Sequence, residues 1–268
     1  RLSPTELSCP VGSLGPNVMS QITLQVGQCG NQLGHALFTK LQDMDMDPLS
    51  HNVFFRKAAT SSGDIDLARA VLLDTEPRAV GNMIEKSKKG HTWRYSSKSR
   101  CCPGNAGAGN NWAHGYCTYG PASKESMLDA VRREVEQCDW LEGFQVLHST
   151  AGGTGSGLGA YLTEQVVDEF AGAAVLNAVV CPYTNGEVIV QSYNTIFTLS
   201  RLAAAADGVL CIENDTAAKA AAFLAGVERP SLHDLNDIIG VHLAGALCPA
   251  YSDAPSRYVG IRKTLQVN

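Results

Sequence analysis

From Met19 onward, short runs of β-type alternation give way repeatedly to stretches of helical period. Ile22-Thr23-Leu24-Gln25-Val26 predicts a strand, and Gly27-Gln28-Cys29-Gly30-Asn31-Gln32 then leads into a helix towards Met44. Ala68 to Asp74 predicts a second strand, closed by Asp74-Thr75-Glu76-Pro77, where proline suits the first turn of a helix. The stretch from Lys86 to Asn111 reads as loop-rich. Met127, Val131 and Val135 give one apolar face to a helix from Ser123 to Cys138. Phe144 to Ser149 predicts a strand feeding a glycine cluster and another helix. Val175 to Cys181 and Gly208 to Ile212 are further strands, each followed by a helix.

Strand, loop and helix repeated in this way imply an α/β fold: a mostly parallel sheet with helices on both faces. Ligands of such folds sit beyond the carboxyl ends of the strands. The unusual residues gather at those ends, after Val26, Leu73, Leu147 and Ile212. No internal repeat is visible, and the Ala-rich tracts (203–206 and 217–222) read as ordinary helix.

Only 18% of residues are charged, below the roughly 25% of an average soluble domain, so the 44% that are hydrophobic must be buried and disorder is excluded for most of the chain. A formal net charge of −5 argues against a dedicated nucleic-acid binder. No apolar run approaches the roughly 18 residues of a membrane span, so no membrane partner is expected. Nine cysteines, without a Cys-x-x-Cys, fit neither a disulfide scaffold nor a zinc ribbon and suit a reducing, cytosolic compartment. Residues 1–18 lack periodicity and a signal-peptide core, and are expected to be a disordered leader.

The strongest motif is Ala151-Gly152-Gly153-Thr154-Gly155-Ser156-Gly157-Leu158-Gly159, after a strand and opening a helix. Glycines there let the backbone approach an anion, and free N–H groups at a helix start favour phosphate. Without Gly-Lys-Ser/Thr it is not a P-loop. Residues 155–160 match a dinucleotide fingerprint, but the next strand ends Val180-Cys181-Pro182 without the acid that holds a ribose. The Gly-x-Ser-x-Gly register of a hydrolase elbow also fails around Ser156. Asp43 to Asp47 resembles a calcium loop until Pro48 and Phe54 occupy its glycine and glutamate positions. His114 and Cys117 have no second pair to complete a metal site. Lys86 to Lys89, with Trp93, Arg94 and Tyr95, read as a solvated basic loop before they read as a nucleic-acid surface. Asp74 and Glu76 stand across the predicted sheet from the glycine loop, where magnesium on a phosphate would need one or two carboxylates.

Gly27 to Gln32, Gly107-Ala108-Gly109-Asn110-Asn111-Trp112-Ala113 and Gly152 to Gly157, in that order and spacing, resemble the tubulin family over about Met19 to Tyr251. Ala151, together with Pro182-Tyr183-Thr184-Asn185-Gly186-Glu187 and the run on to Asn194, is most similar to the delta branch of that family. The resemblance implies a Rossmann-like GTP-binding domain over 19–250, followed by a divergent or truncated tail over 251–268. It implies GTP or GDP with Mg²⁺ as ligand. Gln28 and Cys29 would meet the phosphates, and Asp74 and Glu76 would orient the magnesium and its waters. Ala108, Gly109 and Asn110 would close over the phosphates, while Ser149, Gly152, Gly153, Thr154, Gly155 and Ser156 supply donors. Glu187 and Gln191 match the ribose loop, and Asn214 and Asn236 the guanine-reading positions.

Two residues depart from the family pattern: Leu232 replaces the aromatic ring usually stacked on the base, and Gln191 replaces a Glu. Residues after Tyr251 do not match the segment through which a neighbouring subunit completes GTP hydrolysis, so weak or assembly-dependent GTPase activity is expected. Implied partners are other tubulin subunits or microtubule-associated proteins, with no nucleic acid and no membrane. Implied locations are the cytoplasm and cytoskeleton, at centrioles, basal bodies and cilia. A GTP-binding regulator that never polymerises is the alternative, with an NAD-type oxidoreductase disfavoured by the missing ribose acid.

Overall fold

The computed structural model describes residues 19–60, 63–104, 106–186, 188–226 and 228–248. The expected leader (1–18), Glu187 and the expected tail (251–268) lie outside the described residues. Six strands form one sheet: β1 (Met19–Val26), β4 (Ala70–Leu73), β6 (Arg100–Cys101), β7 (Trp140–Ser149), β8 (Ala174–Cys181) and β9 (Gly208–Glu213). All neighbours are parallel, in the order β6-β4-β1-β7-β8-β9. Counted along the chain, that is the dinucleotide-fold order 3-2-1-4-5-6, whose direction reverses beside the first strand. The α/β expectation is met, and the crevice at the reversal lies beyond Val26, Leu73 and Ser149.

Helices cover both faces: α1 (Gly27–Asp43), α3 (Pro77–Ser87), α7 (Asn214–Ala225) and α8 (Leu232–Leu247) on one, α4 (Gly120–Val135), α5 (Gly159–Glu169) and α6 (Gln191–Ala205) on the other. Ile22, Leu24 and Val26 of β1 pack with Met127 and Val131 of α4 and Leu162 and Val166 of α5. The opposite core joins Leu33, Leu37 and Phe38 of α1 to Val80 of α3 and Leu235, Ile239 and Leu243 of α8. The polar alternates of β1 are buried as well. Gln25 lies under α1, where its Oε1 accepts from the Tyr95 hydroxyl at 3.1 Å.

Several elements depart from the sequence reading. The predicted strand 68–74 is two strands, because β3 (Gly63–Ala68) ends one residue before β4 begins. Buried Arg69 makes the break, its guanidinium donating to the Asn52 and Gln137 carbonyls, each at 3.0 Å. β3 pairs antiparallel with β2 (Phe55–Thr60) and parallel with β5 (Trp93–Arg94) in a separate small sheet. The supposed calcium-type acids include Asp47, which caps α2 (Pro48–Phe54) by accepting from the Leu49 and Ser50 amides. The aromatics of the basic loop point inward, with Trp93 and Tyr95 in the core and unable to stack on bases. The helix expected from Ser123 begins at Gly120, continuing a π-helical segment at His114–Tyr119.

Candidate functional site

Three chain segments meet beyond the switch-point strands. The first is the start of α1. Its N-cap is Val26, which has no side-chain oxygen, and its first turn carries no acid, so the leading N–H groups keep their attraction for an anion. Gln28 is exposed there and Cys29 half-buried, with burial pushing the Cys29 thiol up to about 12. That thiol stays protonated and serves as a small apolar contact. Gly30 must be glycine, because a Cβ would run into the Leu147 carbonyl of β7. Removing that side chain brings α1 down onto the central strands.

The second segment is the glycine loop, which opens a π-helical turn at Thr154–Leu158 and then α5. Its N-cap, Gly153, also lacks a side-chain cap, so a second set of N–H groups is free. π-Turns concentrate at functional sites, and here two pack together, since Gly115 of one leaves room for the Gly153 carbonyl of the other. The predicted donors divide. Ser149 Oγ accepts from the Ala151 amide at 3.1 Å. Ser156 is fully buried and donates its hydroxyl to the Gly152 carbonyl, so only its backbone can face a ligand. Thr154 Oγ1 lies 2.9 Å from Thr75 Oγ1, fastening the loop to the end of β4.

The third segment is the turn at Ala108 to Asn111. Gly109 and Asn110 adopt positive φ of 60° and 53°, and the Asn111 amide donates to the Ala108 carbonyl at 3.1 Å. Asn194 of α6 clamps this turn to the glycine loop. Its Nδ2 donates to the Asn110 carbonyl at 2.9 Å and the Ala151 carbonyl at 2.7 Å, and its Oδ1 accepts from the Trp112 amide. Asn31 plays the same part for α1, donating to the Leu73 and Gly27 carbonyls. Both asparagines were missed as site residues, because an Asn inside a helix gives no distinctive signal.

Asp74 and Glu76 stand beside these loops. Asp74 is 4% exposed, and burial lifts its carboxyl to about 6, helped by the charge of Glu76. Its Oδ1 accepts from the Glu76 amide at 3.2 Å. Glu76 is exposed, with its carboxylate over Gly107. Among the described residues no Lys or Arg pairs with either acid, and no three-ligand metal cluster forms. A buried acid without a counter-charge fits a cation that brings its own waters and a phosphate ligand, as Mg²⁺ does.

The residues expected on the base side lie further along the sheet and are looser. Asn214 opens α7 directly after β9. Leu232 begins α8 and is 63% exposed, while Asn236 sits one turn on. Leu232, Asn236 and Gln32 share a cleft of about 430 Å³ with His35, Lys86 and His91. Gln191 donates to the Tyr183 carbonyl at 2.9 Å and so braces the 183–191 loop. Asp215 holds the same loop by accepting from the Thr184 amide and hydroxyl. α8 carried a readable start signal that the sequence reading passed over, the Ser231/Asp234 capping box.

Uncapped helix starts, a glycine loop and a buried acid at the switch point of a 3-2-1-4-5-6 sheet define a nucleotide-binding α/β domain. Residues 20–222 match the Tubulin/FtsZ family, GTPase domain, and the chain belongs to that family. It is 37% identical over 245 residues to the tubulin delta chain of Homo sapiens, covering 87% of this chain and 54% of that one. It is 38% identical over 252 residues to the delta chain of Mus musculus, covering 89% and 54%. To the tubulin beta-1 chain of Chondrus crispus it is 35% identical over 242 residues, covering 85% and 52%. The chain thus spans about half the length of these relatives. Among the described residues no helix is long and apolar enough to cross a membrane.

Proposed function

We propose that this chain is a guanine-nucleotide-binding domain of delta-tubulin type, acting in the cytoskeleton through assembly with other tubulin subunits. The observation that carries the reading is the convergence of two uncapped helix starts and the Ala108–Asn111 turn around Asp74. The starts of α1 and of the π-helical turn at Thr154–Leu158 would hold the phosphates by backbone N–H groups, and Asp74 with Glu76 would hold magnesium through its waters. That ion would supply charge neutralisation at the phosphates. Asn214 and Asn236 would read guanine, since an amide offers a donor for O6 and an acceptor for N1–H together. Similarity to delta chains supports a role at centrioles, basal bodies and cilia.

Binding without fast turnover is the expected activity. Phosphoryl transfer needs a positioned water as well as a cradle. None of the residues assigned here is a free base facing the phosphates, and Asp74 is committed to the metal side. The test is to denature purified protein in acid and identify the nucleotide released. Guanine nucleotide at near one equivalent supports the reading, and adenine or nicotinamide nucleotide in its place overturns it.

A further inference from the structure

Three sulfur atoms meet where α1 and α8 end, about 25 Å along α1 from the proposed phosphate site. The two helices pack closely, since a Cβ on Gly240 of α8 would stand 3.2 Å from the Ala36 backbone of α1. Their C-caps, Met44 and Cys248, then come into contact. Cys248 Sγ lies 3.9 Å from Met44 Sδ and 3.6 Å from Met46 Sδ. Backbone hydrogen bonds fix each stem. The Met46 amide donates to the Met44 carbonyl at 3.0 Å, and the Cys248 amide donates to the Ala244 carbonyl at 2.9 Å.

Sulfurs that only fill a core would be hidden together. Here Met44 is 37% exposed and Met46 and Cys248 are half-buried, so an ion can reach all three. Charge favours a cation. Two helix C-terminal ends carry partial negative charge to the spot. Asp43 and Asp45 are exposed on either side of Met44, and Lys40, the basic residue in the last turn of α1, is drawn to Asp237 at 3.3 Å. Donor type then selects the cation. Among the described residues no three His, Cys, Asp or Glu side chains gather to hold a metal, so a harder ion has no cage. One thiolate with two thioethers is a soft donor set, which suits Cu(I). A metal–thiolate bond such as zinc's is about 2.3 Å, and three sulfurs spaced trigonally at that radius stand about 4 Å apart. The two contacts of Cys248 are already close to that spacing.

We propose that Met44, Met46 and Cys248 form a three-sulfur site for a monovalent copper ion, which clips the end of α8 to the turn after α1. Binding breaks the Cys248 S–H bond: the proton passes to water and the thiolate bonds the ion. Copper enters and stays as Cu(I), so no electron moves and no oxidant or reductant is needed. The site is independent of the guanine-nucleotide reading and stands or falls without it.

The experiment titrates the whole chain, labelled with methyl-¹³C methionine, with Cu(I) under anaerobic conditions and follows its 5 methionine methyl signals. The signals of Met44 and Met46, assigned through Met44→Leu and Met46→Leu, should shift with the first equivalent, while Met19, Met83 and Met127 stay in place. Competition with a chromogenic Cu(I) chelator should show that equivalent weakened at least about tenfold in each leucine variant and in Cys248→Ser, since even a lost supporting contact costs roughly 10–100-fold in metal affinity. Leucine conserves the volume of methionine, so the leucine variants decide the matter if Cys248→Ser does not fold. Zn²⁺, which takes nitrogen, thiolate and carboxylate ligands, should leave both methyl signals where they are. A first equivalent that moves neither methyl, or that binds undiminished in the Met44→Leu/Met46→Leu double variant, would put the copper on other thiols and overturn the proposal. Shifts of the same size with Zn²⁺ would overturn it as well.

Discussion

The proposed phosphate end and the proposed base end of the site are built to different standards. At the phosphate end Gly155, Ser156 and Thr150 are buried, and Asn31, Asn194 and the Thr75–Thr154 contact stitch three loops together. At the base end Leu232 is exposed, as are Phe223 and Leu224 of α7 and Leu210 of β9. The first region folds around itself because its strands lie at the centre of the sheet, covered on both faces. The second hangs on β9, an edge strand, and on α7, whose Phe223 and Leu224 are exposed. On the proposed reading, phosphate recognition would be prepared in the free domain, and base recognition would depend on side chains with room to move.

Gly155→Val should separate the two ends most sharply. A Cβ at Gly155 meets the Ser149 backbone N and O at 3.1 Å, tighter than a side chain comfortably allows. Its φ is not in the left-handed region, so crowding and not backbone strain is the cause. GTP affinity should fall at least about 100-fold by calorimetry, with an overpacking loss of about 1–3 kcal/mol in urea unfolding. Full affinity in a folded variant would remove the glycine loop from the site.

The buried acid gives the next largest effect. The folded state holds Asp74 near 6, whereas the ordinary value is 3.8, so between these values the native state keeps a proton that the unfolded chain has released. Stability of the nucleotide-free protein should therefore fall as pH rises from about 4 to about 6, by about 2–3 kcal/mol. Asp74→Asn should flatten that segment of the curve. Magnesium with GTP should do the same in the unaltered protein by favouring the carboxylate. An unchanged pH profile in Asp74→Asn would show that this acid does not carry the dependence.

At the base end, Leu232→Tyr should strengthen GTP binding by several-fold, because an aromatic face stacking on a base contributes about 1–3 kcal/mol at best and this one starts exposed. The same substitution should leave the affinity for inorganic triphosphate unchanged. A gain for both ligands would mean that the tyrosine acts on the fold and not on the base.

How much of this was legible in the sequence follows the same division. β1, β7 and β8 and the glycine loop were readable because central strands concentrate apolar residues and a strand-to-helix glycine run has few other uses. The small sheet was not, since Phe55-Arg56-Lys57-Ala58 carries too many charges to look like a strand, and β3 runs into β4 through one buried arginine. Asp74 was legible as a strand-end acid, but its burial, the contact of Thr75 with Thr154 and the inward-turned hydroxyl of Ser156 depend on tertiary contacts.

Selectivity between GTP and ATP, measured by competition on the unaltered protein and on Asn236→Asp, tests the central claim most directly. The account predicts GTP well ahead of ATP in the unaltered protein. In Asn236→Asp it predicts GTP weakened about tenfold, because a carboxylate accepts from N1–H but cannot donate to O6, with triphosphate binding intact. Equal affinities for GTP and ATP in the unaltered protein would contradict it.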